Sequence, residues 1–151
     1  MRFRGAGQGA AVLLRSKLRI DSRLEEVSRA RRWLMEHALE AGFPEDETHR
    51  LGLALSEACT NVIKHAYGGA AGNAIDLELD ADAERLVVRI RDTGKPFDPA
   101  SYTPPDLSQA HESGYGVHLM RVIMDEVRYA PSPGGGTTLT MVRLRERRPS
   151  S

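Results

Sequence analysis

Glu57 and Asn61 stand four residues apart in the stretch Ser56-Glu57-Ala58-Cys59-Thr60-Asn61-Val62-Ile63-Lys64-His65-Ala66-Tyr67. Leu51, Leu55, Ala58, Val62 and Ile63 recur at helical spacing, so the two polar side chains leave one helix face a turn apart. A hydrogen-bonded surface pair is the plain account of that spacing; a second account is chemical. Magnesium prefers hard oxygen ligands and keeps several waters, so the Asn61 amide oxygen together with substrate phosphates can hold it without adding negative charge. A carboxylate one turn away, at Glu57, can take a proton from an attacking hydroxyl or water. Lys64 is angled towards phosphate oxygens, or else simply ends the helix in solvent.

Two glycine-bearing segments follow in order. Asp92-Thr93-Gly94 closes a strand, where a carboxylate can accept the exocyclic amino hydrogen of adenine and would repel the guanine carbonyl. Gly94 would let the base approach the backbone; an ordinary Asp-Thr-Gly turn is the alternative. Gly114 and Gly116 bracket a helix start, where free amides and the helix dipole favour phosphate, although a plain glycine turn would look the same. Thr137 follows three glycines at the mouth of the last strand, placed either to line a base pocket or to pack across strands. Three weak signals in one order point to a nucleotide site. The rival motifs are missing: no Gly-x4-Gly-Lys-Ser/Thr phosphate loop, no His-Arg-Asp or Asp-Phe-Gly, and no Gly-x-Ser-x-Gly. Gly5-Ala6-Gly7-Gln8-Gly9 has no strand before it and reads as tail.

The elements that must position these residues can be read from periodicity. Residues 12–20 alternate Leu14, Leu18 and Ile20 against Arg15, Lys17 and Arg19, a strand pattern. Ser22 with Glu25 suggests a capping box opening a helix that runs to about Ala41, with Leu24, Val27, Leu34, Ala38 and Ala41 inward. Gly42 ends that helix, and Pro44 starts a second one spanning about residues 45–66. Strands are expected around residues 75–79 and 86–91, joined as an antiparallel hairpin. Residues 93–113 hold four prolines and little periodicity, the mark of a functional or mobile loop. A third helix begins near Gly116 and turns Val117, Met120, Ile123 and Met124 inward; strands at about residues 126–130 and 137–144 close the chain. The order β-α-α-β-β-α-β-β argues an α+β fold, a two-layer α/β sandwich with a mixed, largely antiparallel sheet and helices on one face.

A chain of 151 residues suits one domain, placed at about residues 12–145 between tails at 1–11 and 146–151. With 21 basic and 21 acidic residues, no whole-molecule field draws it to nucleic acid or anionic lipid. The basic ends, with Arg143, Arg145, Arg147 and Arg148 at the finish, read as solvated termini. The lone Cys59 reads as a buried filler in a reducing compartment. Neither a membrane span nor a signal segment is visible, so a cytoplasmic location is expected. The histidines lack zinc spacing, which argues against a metal site built from protein ligands alone.

The segment from Glu57 to Tyr67 resembles the N box of the gyrase/histidine-kinase ATPase superfamily, the Bergerat fold. Asp92-Thr93-Gly94-Lys95-Pro96-Phe97-Asp98-Pro99 resembles its first glycine box, Gly114-Tyr115-Gly116-Val117-His118-Leu119-Met120 its second, and Gly136-Thr137-Thr138 the motif on its closing strand. Within that superfamily the chain is similar to the small anti-sigma factor serine kinases, which share Ser-Glu-Ala before the Asn, His-Ala-Tyr after it, Phe-Asp-Pro, and Met124-Asp125. The resemblance implies ATP bound with Mg2+ at Asn61, adenine read by Asp92, and a lid between Phe97 and Gly116. It implies that Glu57 activates a serine on an anti-anti-sigma (STAS-type) regulator, that a sigma factor competes for the same protein, and that the chain forms a homodimer. Sensor histidine kinases share these boxes but also carry a phosphoacceptor histidine motif, which the surroundings of His37 lack. A nucleotide-dependent binding module without phosphotransfer, or a free-standing ATPase, would use the same boxes.

Overall fold

Alternating apolar residues force a sheet with one covered face. In β2 (Ala74–Ala81) Ile75, Leu77, Leu79 and Ala81 are buried, and in β3 (Arg85–Arg91) Leu86, Val88 and Ile90 are. The hairpin register sets Leu77 opposite Ile90 and Leu79 opposite Val88, so both sets face the same layer. The computed structural model describes residues 12–96 and 115–145. The glycine run at residues 5–9, the lid segment and Gly114 therefore lie outside the described residues, as do both expected tails, Arg147 and Arg148.

β1 (Leu14–Asp21) adds to β2, β5 (Thr137–Leu144) adds to β3, and β4 (Glu126–Pro131) adds to β5, giving the order β1-β2-β3-β5-β4. All four pairings are antiparallel, so the expected mixed character has no parallel pair among the described residues. On the outer face Arg15, Lys17 and Arg19 stand opposite Asp80, Glu78 and Asp76, with ion-pair distances of 2.8, 3.8 and 2.7 Å. Exposed pairs of this kind add little stability, but they favour this register over a slipped one.

The inner face is covered by α1 (Leu24–Glu40), α2 (Glu45–Asn61) and α3 (Tyr115–Ile123). The buried stripe of α1 is Val27, Ala30, Trp33, Leu34 and Ala38, which keeps the expected Val27, Leu34 and Ala38, with Ala41 packed against it; Leu24 departs from the expectation and is 60% exposed. Trp33 ties the helix to β1, since its Nε1–H donates to Ser16 Oγ at 3.0 Å. The expected capping box does not form. Arg23 is the N-cap residue and makes no side-chain cap bond. Ser22 is buried elsewhere: its Oγ donates to the Ala70 carbonyl at 2.7 Å and accepts the Asn73 N–H at 3.1 Å, fastening the turn ahead of β2.

Arg143 and Arg145 also depart from the solvated-terminus reading. Arg143 bonds Glu47 Oε1 at 2.9 Å and the Ile123 carbonyl at 2.9 Å, joining β5, the start of α2 and the end of α3. Arg145 donates to the carbonyls of Asp82 and Ala41 and lies 4.4 Å from the centre of the Phe43 ring. Each terminal arginine thus bridges helix and sheet. Their partners lie tens of residues away, which a local reading of charge cannot see. Because Arg143 and Glu47 are both largely buried, removing one partner leaves an uncompensated charge. Glu47→Ala is expected to lower unfolding free energy by about 3 kcal/mol in chemical denaturation.

Candidate nucleotide site

The site forms where the C-terminal end of α2 meets the ends of β3 and β5. The expected single helix over residues 45–66 proves to be two pieces: α2 ends at Asn61, and a π-helical turn, Val62–Ala66, carries the chain on. Such wide turns recur at functional sites. Here the turn presents Val62, His65 and Ala66 beside Asn61 on a small, partly open cleft of about 30 Å³. Ala58, Asp92, Tyr129, Thr137 and Leu139 complete its lining.

Two glycines permit this meeting. A Cβ on Gly94 would overlap the Ala66 carbonyl, and one on Gly136 would overlap the carbonyl of Asp92. Gly136 also has φ of +83°, which L side chains rarely adopt. With both side chains absent, the Asp92 N–H donates to the Thr137 carbonyl at 3.0 Å and the Lys95 N–H to the Ala66 carbonyl at 2.8 Å. Asp92 is thereby held between the helix end and the last strand.

Asp92 is 3% exposed, and its Oδ1 accepts the Gly94 N–H at 2.9 Å. Burial raises its pKa above the ordinary carboxylate value, while backbone bonds from Gly94 and Thr137 pull the other way. A buried carboxylate turned towards an apolar cleft is suited to accept an amino hydrogen from a planar ligand. Asn61 supplies the second polar feature. Its Nδ2 is buried with no hydrogen-bond partner among the described residues. An amide with unused bonding capacity beside a cleft fits a ligand that completes it.

The structure brings Asn61, Asp92 and Thr137 together on one cleft, with Gly94 behind Asp92. Glu57 is half-buried one turn before Asn61 and outside the cleft lining, while Lys64 is exposed on the π turn and also outside it. Gly116 lies in the first turn of α3. Gly136 and His65 lie within the sequence boxes without an assigned role, and Tyr129 is not among the expected site residues. For Gly136 a signal existed in the glycine run ahead of β5; His65 and Tyr129 depend on the π turn and the β4–β5 register. Among the described residues no cluster of three His, Cys, Asp or Glu side chains is present. Magnesium delivered with phosphates needs only one or two protein oxygens, and the Asn61 amide carries one; its unpartnered Nδ2 is a donor suited to a phosphate oxygen. Cys59 is fully buried with its thiol pKa pushed up to about 12, so it fills space.

Residues 20–143 match the family model described as a histidine kinase-like ATPase domain. The chain belongs to that family. Its curated relatives include the serine-protein kinases RsbW of Bacillus subtilis, 32% identical over 82% of each chain, and of Bacillus licheniformis, 32% identical over 73% of this chain and 74% of the other. RsbW of Bacillus pumilus is 31% identical over 87% of each. The solved RsbU and RsbW domains of Rv1364c from Mycobacterium tuberculosis share the fold at a TM-score of 0.64 and 19% identity, covering 93% of this chain and 35% of that one. These relatives bear out the anti-sigma serine kinase resemblance and the α+β histidine-kinase-like fold.

For this ATPase domain the raised pKa of Asp92 has a consequence for stability. A carboxyl whose folded pKa lies above its unfolded value favours the fold while neutral and costs stability once pH rises through the folded value. Asp92→Asn removes that cost and can keep the bond from Gly94. The ligand-free variant is expected to match or exceed the parent in stability at pH 7, with the difference shrinking below the ordinary carboxylate range, as read by denaturation across pH.

Proposed function

We propose that this chain is an ATP-dependent serine protein kinase that acts as an anti-sigma factor and phosphorylates a serine on an anti-anti-sigma (STAS-type) regulator. The observation that carries the reading is the cleft shared by buried Asp92 and the incompletely bonded Asn61 amide. The relatives' printed name, serine-protein kinase, supports the choice of transferase. The regulator, the sigma factor and a homodimeric state follow from the family resemblance, and a cytoplasmic location is proposed from the sequence. No helix among the described residues is long and apolar enough to cross a membrane.

In this reading Asp92 accepts the adenine amino hydrogen, Gly94 and Thr137 shape the base pocket, and the Asn61 amide oxygen holds Mg2+. Lys64 and the backbone around Gly114 and Gly116 meet phosphate oxygens. Bound Mg-ATP supplies the γ-phosphoryl group together with charge neutralisation by the metal. Glu57 accepts the proton of the attacking serine hydroxyl. What supports that role is its spacing, one helical turn from Asn61 on the same helix. The helix fixes the spacing between metal ligand and base, so their relation does not depend on a loop.

The test is phosphate transfer to a cognate regulator. Glu57→Ala is expected to bind ATP normally and to slow labelling of the regulator serine by about 10²–10⁴-fold, the usual contribution of general base catalysis. Undiminished labelling would remove Glu57 as the base. ATP binding with no labelling by the parent protein would leave a nucleotide-dependent binding module.

A further inference from the structure

We infer that the Tyr67 hydroxyl is a positioning group that sets the preference of the cleft for adenine by fixing the Asp92–Thr93–Gly94 backbone; the inference rests on the nucleotide reading above. Tyr67 follows the π turn directly and is not among the residues lining the cleft. Its hydroxyl donates to the Ala74 carbonyl at 2.7 Å, at the start of β2, and accepts the Thr93 N–H at 2.9 Å. The Thr93 hydroxyl approaches the same oxygen at 3.4 Å. The phenol therefore ties the residue between Asp92 and Gly94 to the central sheet.

The neighbouring contacts explain why this bond matters to Asp92. On one side, the Asp92 N–H is held by the Thr137 carbonyl. On the other, Gly94 lies flat against the Ala66 carbonyl and the Tyr67 ring, where no Cβ fits. Between these fixed points the Asp92 Oδ1 accepts the Gly94 N–H at 2.9 Å, so the placing of the Thr93 peptide aims the amide that orients the carboxylate. The Tyr67 hydroxyl holds that peptide. A carboxylate held in one orientation accepts an amino hydrogen at adenine position 6 and rejects the carbonyl that guanine places there. A carboxylate free to turn away discriminates less.

Tyr67→Phe keeps the ring against Gly94 and removes only the hydroxyl. Binding is measured by calorimetry with magnesium plus ATP or GTP, which needs no regulator and no phosphate transfer. The expected result is about a tenfold loss of ATP affinity with little change for GTP, so the preference narrows. Equal losses for both nucleotides would make Tyr67 a general stabiliser and overturn the inference, as would unchanged affinity and preference. If the parent protein itself binds neither nucleotide, the nucleotide reading falls and takes this inference with it. Amide hydrogen exchange on the parent protein adds a check that needs no variant. The Thr93 amide should be protected before nucleotide is added, and exchange there at the rate of an open loop would overturn the inference.

Discussion

Two backbones touch at Gly94 and Gly136 where no side chain can enter, and the cleft exists because of it. A Cβ at either position would push the Asp92 segment away from the end of α2 or from β5. The polar pair that gives the cleft its chemistry would then separate, since Asn61 belongs to the helix and Asp92 to the strand end. Interiors this closely packed respond to such an intrusion by shifting whole segments, because side chains have no room to yield. Asp92 itself adds a cost, because its carboxylate is buried in an apolar setting. The fold carries that cost beside the cleft that Asp92 lines.

The remainder of the molecule holds this junction still. Apolar alternation in β2, β3 and β5 anchors the sheet, and the stripes of α1 and α2 cover it. Arg143 binds the start of α2 through Glu47 and the end of α3 through the Ile123 carbonyl. Both helices that approach the nucleotide boxes are thus referred to the same strand that carries Thr137. Fixing catalytic and binding groups on rigid elements is what lets a small cleft discriminate among ligands.

The sequence carried most of the fold and part of the site. Strand alternation and the early pair of helices were legible because period and burial agree over long stretches. The antiparallel hairpin of β2 and β3 was legible for the same reason. Local signals misled where a residue's partner is distant. Ser22 looked like a helix cap but serves the turn at Ala70 and Asn73, and Arg143 and Arg145 looked solvated but brace the helices. The π turn after Asn61 was not legible, since its composition continues the helix and the deviation arises where the chain packs beside Asp92. Asn61, Asp92 and Thr137 were readable as a set because their order matches known boxes. Their meeting on one cleft is a tertiary fact that spacing alone does not supply.

Whether Asn61 holds a metal brought by ATP can be measured apart from phosphate transfer and from any partner. Calorimetric titration of ATP into the parent protein and into Asn61→Ala, each with and without magnesium, measures it. Magnesium is expected to strengthen ATP binding to the parent protein and to have little effect on the variant. Equal strengthening by magnesium in both proteins would contradict that expectation.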